Sequence, residues 1–435
     1  MIGLQRLLPA WAGHWARDSG LLLASQLLTI GATTLAAALI ARHLQPSEWG
    51  IFSAFLGLSF GLAVFVEFGL ASWLLRELSG LYAEHGEGAG EDSRPLVAAG
   101  LGFALVAGAL IVALGAAAGA FVGQRGGSLF ALSALLLYGG LYASCNVLEA
   151  ELRARRRLRR VVAASVLEKY VLVSLVAAAI LTGGGLWGVG GAYAVAGLLR
   201  LSLLGWSVFG RRLPARPRRR EVTAVVRASL PFALTSAALS VVPRLDALGL
   251  VAFSAVAAGY FALGDRILAP LALVPGIAAT ALFPFLARRA HTVGAVWRLA
   301  GAFGLAGGIL AIAAFVFAPT LVPLIFGSEY ADAVPAVQLM VLALPLVYAA
   351  NPLLVYTYTF GRERSIAITI LVASLTGTAA ILTGQALVGV TGAAAGFLVR
   401  QALVSGGFVL TAVRASRADT RPFEPRLPSP IEGSL

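Results

Sequence analysis

Two charged side chains interrupt one of the most apolar parts of the chain. The stretch VPRLDALGL, residues 242–250, carries Arg244 and Asp246 among neighbours that are almost all Ala, Leu, Val, Ser and Phe. The next apolar run carries a second pair, Asp265 and Arg266. Charges at the centre of a membrane helix cost about 3 kcal/mol or more unless they are paired or hydrated, so they face a bundle interior or a water-filled path. These four residues are therefore predicted to line a cavity for charged cargo.

The four charges have two interpretations. Arg244 could pair with Asp265 and Asp246 with Arg266, which would only clamp two helices together, and their net charge of zero favours this. An arginine can also exchange a carboxylate partner for a phosphate group of a ligand, because guanidinium groups bind both bidentately. Both interpretations stay open. Arg400, near the middle of the last apolar run, is a further candidate for the cavity because it cannot easily snorkel to the interface.

Glu67 is the candidate for coupling transport to an ion gradient. The sequence has no loop typical of nucleotide binding, so a large polar cargo must cross downhill or with an ion gradient or the membrane potential. A coupling carboxylate must change its proton or ion occupancy as the protein moves. Nearby arginines would keep Asp246 and Asp265 charged, and Glu168 has Lys169 beside it. Glu67 has no basic residue within a helical turn.

Residues typical of catalysis or metal binding are scattered. The single cysteine, Cys145, lies inside an apolar run, and the four histidines fall in four different connections. The sequence has no Ser/His/Asp set, no glycine loop that could cradle a phosphate, and no pair of carboxylates on one extramembrane segment. It therefore predicts no catalytic residues, no metal site and no bound cofactor.

Composition and the length of the apolar runs identify the elements that position these residues. Hydrophobic residues make up 59% of the 435 residues and charged residues 12%, with a mean hydropathy of +0.87, which excludes an ordinary soluble domain. A membrane helix needs about 20 apolar residues, and its backbone satisfies its own hydrogen bonds. We predict an all-α polytopic membrane protein. Its twelve predicted spans are 20–41, 49–74, 96–122, 128–150, 161–182, 186–209, 227–252, 256–286, 294–326, 334–360, 364–384 and 390–413.

Arginines concentrate in alternate connections between these spans. One side holds 26 arginines, and the other holds only Arg42 and Arg125. The positive-inside rule assigns the arginine-rich side and both termini to the cytoplasm. The runs RARRRLRR and RRLPARPRRR and the net charge of +13 therefore indicate topology and contact with anionic lipids, not nucleic-acid binding. Lys169 and Arg200 lie in the cytoplasmic halves of their spans, and we expect them to snorkel to that surface.

An arginine-rich linker divides the spans into two groups of six. The predicted units are an N-terminal lobe at 1–209, the linker at 210–226, a C-terminal lobe at 227–414 and a disordered cytoplasmic tail at 415–435. EWGIFSAF in the first half aligns with AAGYFALG in the second at an offset of 209 residues, which indicates a duplicated six-helix unit. All outer connections are short, which disfavours an enzyme that would need a sizeable outer loop.

Several blocks of sequence, in order, resemble one family of transporters. The segment SLPFALTSAALSVVPRLDALGLVAFSAVAAGYFALGDRILAPLALVPGIAATALFPFLAR resembles the seventh and eighth helices of polysaccharide-biosynthesis membrane proteins, the O-antigen and exopolysaccharide flippases, with their R-x-D element, G-Y dipeptide and F-P near arginine. PLIFGSEYADAVPAVQLMVLALPLVYAANPLLVYTYTFGRE resembles their F-G-x-x-Y-x-x-A stretch and its following helix. RHLQPSEWGIFSAF and FGLASWLLREL resemble the first hairpin and the end of the second helix.

This resemblance implies the multidrug, oligosaccharidyl-lipid and polysaccharide exporter superfamily, whose members have two six-helix lobes around a central cavity that opens alternately to either side. The implied cargo is an oligosaccharide on an undecaprenyl-pyrophosphate-type lipid, turned to the outer leaflet of the bacterial inner membrane for O-antigen, lipopolysaccharide or exopolysaccharide synthesis. The implied partners are membrane lipids, a polysaccharide polymerase and export machinery. A drug or cation antiporter of the same superfamily, a peptidoglycan-precursor flippase and a polytopic enzyme acting on lipid-linked glycans stay open as alternatives.

Overall fold

Long helices make up the regular secondary structure of the protein. A computed structural model describes residues 10–85, 90–210, 217–240, 245–288, 293–358 and 363–418, and no strand occurs among them. The apolar sequences favour helices because a helix pairs its own backbone groups without water. The helices are α1 (Ala10–His43), α2 (Pro46–Glu67), α3 (Leu70–His85), α4 (Gly90–Phe121), α5 (Gly126–Ala154), α6 (Leu158–Leu181), α7 (Gly185–Phe209), α8 (Arg219–Ser240), α9 (Leu245–Phe253), α10 (Ala255–Arg288), α11 (Val293–Phe326), α12 (Val334–Val341), α13 (Leu344–Tyr358), α14 (Glu363–Val388) and α15 (Val390–Ala418).

The helices confirm the all-α, polytopic prediction. Eleven segments of the described chain are long and apolar enough to cross a membrane. They correspond to every predicted span except the seventh, 227–252, which is divided between α8 and α9 by residues outside the described ranges. The predicted tenth span also has internal structure: a 3₁₀ helix, Ser328–Ala333, leads into α12 and α13.

The second predicted span, 49–74, is wrong as a single helix. The structure ends α2 at Glu67 and starts α3 at Leu70. Phe68 adopts a left-handed conformation with φ 48°, and its N–H bonds to the carbonyl of Val64, which ends α2. Gly69 follows with φ 69°, and a side-chain carbon there would collide with the backbone of α8. The break fixes Glu67 at the C-terminal end of α2.

The helices pack as two groups that follow the two halves of the sequence. In the first half, α5 packs against α2, α3, α4 and α7, while α6 packs against α1 and α7. In the second half, α13 packs against α10, α11 and α15, and α14 packs along α15. The halves meet mainly where α2 packs against α9 and α10, and α8, which begins the second half, packs against α3 and α4 of the first.

The apolar core differs between the two ends of the bundle. We call the end that carries the α1–α2 and α9–α10 connections the outer end, following the orientation that the arginines predict, and the opposite end the inner end. Among the described residues, one buried cluster at the outer end joins both halves, with Trp49 and Phe52 of the first and Phe261 and Phe397 of the second. The inner halves have separate clusters. The two lobes therefore share their largest core toward the outer end, and at the inner end α8 packs into the core of the first lobe.

Candidate functional site

The outer ends of α2 and α10 meet backbone to backbone. A side-chain carbon on Gly50 would overlap the carbonyl oxygen of Ala255 and the amide nitrogen of Gly259. A side-chain carbon on Gly259 would in turn overlap the carbonyl oxygen of Pro46. The two halves therefore make the same contact in both directions, and only glycine permits so close an approach.

Polar contacts reinforce this outer contact between the lobes. The Arg42 guanidinium donates to the carbonyl of Ile325 at 2.8 Å and also to that of Leu324. Both carbonyls belong to the last turn of α11, where backbone acceptors have no helical partner. The Tyr330 hydroxyl donates to the Leu44 carbonyl at 3.2 Å. These bonds join α1 of the first lobe to the second lobe.

A buried cluster of charges lies in the inner half of the first lobe. Glu149 of α5 accepts hydrogen bonds from Arg200 of α7 at 2.5 Å and from Arg153 at 2.7 Å. Arg200 also lies 3.5 Å from Glu168 of α6. Glu149, Glu168 and Arg200 are all buried, so each depends on its partners for stability. We call these residues, with Lys169 and Tyr138, the first-lobe charge cluster.

Tyrosine side chains complete this cluster. The Tyr138 hydroxyl donates to Glu168 at 2.9 Å and accepts from the Lys169 ammonium at 2.8 Å. Lys169 also donates to Glu168 at 2.9 Å. The Arg200 guanidinium stacks over the Tyr142 ring, 5.1 Å from its centre. The expectation that Arg200 and Lys169 snorkel to the surface is therefore wrong, because both are held inward by carboxylates.

A cavity of about 310 Å³ opens beside the cluster and contains Glu67. Tyr142, Asn146, Glu149 and Arg153 also line it. The Asn146 side chain donates to the Glu67 carboxylate at 2.8 Å. The sequence shows no basic residue near Glu67 along its own helix, but the fold brings Arg153 of α5 to the same cavity. Glu67 thus faces a polar space and has one neutral hydrogen-bond partner.

Asp246 forms the corresponding buried contact in the second lobe. It accepts hydrogen bonds from Arg400 of α15 and from the Thr378 hydroxyl of α14, the latter at 2.5 Å. The Arg400 guanidinium lies over the Phe397 ring, 4.9 Å from its centre. The predicted partner of Asp246, Arg266, is therefore wrong. The sequence gives no sign of this partner, because Arg400 lies on another helix of the same lobe, far from Asp246 along the chain.

The other predicted cavity residues have different environments. Arg244 lies outside the described residues. Asp265 is exposed and Arg266 is half-buried, and neither forms an ion pair within the described ranges. Arg266 lies in the vicinity of Tyr193 of α7, in the first lobe. Of the predicted cavity set, the described residues include one ion pair, Asp246 with Arg400. The predicted pairing of Arg244 with Asp265 lies outside the described residues.

A second polar cluster lies at the inner end, outside the spans. Glu151 accepts from the Tyr82 hydroxyl at 2.7 Å and from Ser93 at 2.8 Å, and it pairs with Arg155. Burial raises the pKa of the Tyr82 phenol, so the phenol stays protonated and donates to Glu151. Arg155 Nε donates to the Tyr82 oxygen at 2.6 Å. This cluster ties α3 and α4 to the end of α5.

Sequence reasoning missed Glu149 and Glu151, which lie where the fourth span runs into the arginine-rich connection. A signal was present, because Glu149 with Arg153 and Glu151 with Arg155 are spaced four residues apart on a helix. Asn146 gave no such signal. Within the described ranges, no group of three or more His, Cys, Asp or Glu side chains is placed to hold a metal ion.

Comparison with known proteins gives a family and a fold. Residues 15–289 match the family described as polysaccharide biosynthesis protein. No curated protein matches the chain significantly. Among solved structures, the chain is similar to an inward-facing multidrug resistance MATE family transporter of the MOP superfamily, with a TM-score of 0.74 and 16% identity over 90% of this chain and 95% of that chain.

Two further solved structures share the fold. The lipid II flippase MurJ in an inward closed conformation gives a TM-score of 0.68 at 11% identity, covering 92% of this chain and 90% of that chain. An outward-facing MATE family transporter gives 0.57 at 15% identity, covering 92% and 96%. At these identities the likeness concerns the fold. Of these three structures, the outward-facing one has the lowest TM-score.

Proposed function

Because the chain belongs to the polysaccharide biosynthesis protein family, we propose that this multi-pass membrane transporter flips an oligosaccharide on an undecaprenyl-pyrophosphate-type lipid from the inner to the outer leaflet. It acts by alternating access in the bacterial inner membrane, with both termini in the cytoplasm, and catalyses no reaction. Its product supplies polysaccharide, O-antigen or exopolysaccharide assembly, next to a polymerase and export machinery.

One observation supports the mechanism: the largest buried core joins both lobes toward the outer end, whereas toward the inner end the second half contributes α8 to the core of the first lobe and has a further core of its own. Such an arrangement supports an inward-facing state, in which cargo assembled in the cytoplasm enters between the lobes. The outer contact combines backbone packing at Gly50 and Gly259 with buried side chains of both lobes. Alternating access requires this contact to separate while each lobe stays intact.

We assign some of the charged residues in the membrane to cargo binding and others to the stability of the lobes. Arg266 is half-buried, has no carboxylate partner among the described residues and lies in the vicinity of Tyr193 of the first lobe. We assign it, with Arg244, to the pyrophosphate of the cargo, because guanidinium groups bind phosphate oxygens bidentately. Asp246 and Arg400 already form an ion pair, and we assign this pair to the stability of the second lobe.

Glu67 supports a second part of the proposal, coupling to an ion gradient. It lines a cavity, it is half-buried, and its only hydrogen-bond partner in the described structure is neutral Asn146. A carboxylate in that position can exchange a proton or a cation with water. Glu149 and Glu168 are less suited to this exchange, because they already form ion pairs with arginine and lysine side chains. The same cavity also favours the alternative function of a drug or cation antiporter, in which Glu67 would bind the organic cation.

Deletion of the gene separates these functions. We expect lipid-linked oligosaccharide to accumulate facing the cytoplasm, and the chain supplied in trans should restore its export. The complementary measurement is resistance to cationic drugs in the deletion strain. Sensitivity to such drugs with unchanged glycan export would favour the antiporter and would contradict the flippase.

A further inference from the structure

A large cavity lies at the inner end of the first lobe, away from the interface between lobes. Its volume is about 730 Å³, and the ends of α4, α6 and α7 surround it. Four arginines line it: Arg94, Arg155, Arg157 and Arg160. None of the described residues that line it is a carboxylate, so its polar side is positively charged.

Three of these arginines make no ion pair within the described ranges. Arg155 is engaged by Glu151, and Arg160 donates to the Ser207 carbonyl at 3.1 Å. Arg94 carries a buried Nε without a hydrogen-bond partner. Arg157 precedes α6 and makes no side-chain capping bond, and no ion pair of it occurs within the described ranges. The first turn of α6, which carries the positive end of that helix dipole, lies against the same cavity.

Two large apolar side chains of the lining are exposed on the outside of the protein. Trp206 is 63% exposed and Leu167 is 46% exposed, and both line the cavity below the arginines. In a membrane these two side chains meet acyl chains, and tryptophan is typical of the level of the lipid headgroups. The cavity therefore offers cations to a headgroup and an apolar wall to a chain attached to it.

We propose that this cavity is a binding site for an anionic phospholipid of the inner leaflet, with its phosphodiester on Arg94 and Arg157 and an acyl chain along Trp206 and Leu167. The arginines favour an anionic headgroup, and the adjoining apolar side chains of Trp206 and Leu167 favour an attached acyl chain. Together they favour an anionic lipid over a soluble anion. Basic pockets between membrane helices on the cytoplasmic side bind such headgroups.

Native mass spectrometry of the purified full-length protein tests this site, with cardiolipin and phosphatidylcholine as probes. We expect Arg94→Gln/Arg157→Gln to bind cardiolipin roughly tenfold more weakly than wild type. The matched control is Arg159→Gln/Arg220→Gln, which removes the same charge from exposed arginines that do not line the cavity. The control should bind like wild type. Trp206→Ala, at an exposed position, should also weaken cardiolipin binding without loss of folding.

Three outcomes would overturn the proposal. Equal weakening in both double variants would mean diffuse attraction by surface arginines. Displacement of cardiolipin by inorganic phosphate, with no effect of Trp206→Ala, would mean a site for free phosphate. Tighter binding of undecaprenyl diphosphate than of cardiolipin, dependent on Arg94 and Arg157, would mean a cargo site.

Discussion

Gly50 and Gly259 occupy equivalent positions in the two halves of the sequence, 209 residues apart, and pack against each other at the outer ends of α2 and α10. The duplication therefore places the same glycine twice at the point where the lobes touch. Neither position has room for a side-chain carbon. We infer that this glycine pair forms the closed outer gate of the transporter.

Gly50→Leu should hold the outer gate apart, because its side chain would overlap the backbone of α10. We expect flipping to fall at least about tenfold, since the inward-facing state could no longer close on the outside. Labelling of a Ser53→Cys variant by a membrane-impermeant maleimide, with Cys145 replaced by alanine, should rise in the leucine variant. Gly31→Leu is the matched control, because no atom lies near that glycine, and it should change neither quantity. Wild-type labelling and flipping in Gly50→Leu would contradict the gate.

Arg200→Met should destabilise the first lobe. It leaves Glu149 and Glu168 buried with fewer cationic partners, and breaking a buried pair costs about 3–5 kcal/mol. The apparent Tm in detergent should fall by roughly 5 °C or more. Arg153→Gln is the matched control: half of its side chain is exposed, so its loss should cost below about 1 kcal/mol. A Tm for Arg200→Met as high as that of the control would mean that the cluster is not structural.

The sequence predicts the helices of the protein well but the contacts inside its two lobes only in part. Helix positions follow from apolar length alone, so the spans agree closely with the helices. The break at Phe68 and Gly69 was missed because both residues are apolar enough to continue a hydropathy window. The partners of Arg200 come from α5 and α6, and that of Asp246 comes from α15, 154 residues away. Such pairings depend on helix rotation and packing, which no local pattern encodes.

Arg400→Gln should destabilise the second lobe, because buried Asp246 would keep only the Thr378 hydroxyl as a partner. Removal of both charges in Asp246→Asn/Arg400→Gln should restore Tm and membrane abundance, since the two amides can still bond to each other. If this pair is scaffold, the double variant also regains flipping. A stable double variant without flipping would instead assign Asp246 or Arg400 to cargo or ion binding.

Glu67→Gln should abolish the stimulation of flipping by an imposed ion gradient while cargo binding persists, because the amide cannot exchange a proton and keeps the bond to Asn146. The measurement is flipping in vesicles with and without the gradient. Glu77→Gln removes a carboxylate from an exposed position of α3 and should behave like wild type. Gradient stimulation of Glu67→Gln equal to wild type would refute the assignment.

The orientation of the chain is tested by reporter fusions. The excess of 26 arginines on one side over two on the other predicts cytoplasmic readings after residues 155, 218 and 290. Fusions near residues 125, 184 and 330 should read external. One clear inversion among the six would contradict the twelve-span topology and the assignment of the glycine pair to the outer end.

Flipping of a defined cargo by the purified protein tests the central claim most directly. Proteoliposomes would carry the full chain and an undecaprenyl-diphosphate oligosaccharide with a fluorescent glycan, and a membrane-impermeant quencher would report the fraction that faces outward. With cargo first quenched on the outside, we predict that protein-containing vesicles expose further labelled glycan, whereas vesicles with the Gly50→Leu variant and protein-free vesicles do not. Equal exposure in wild-type, variant and protein-free vesicles would contradict the account.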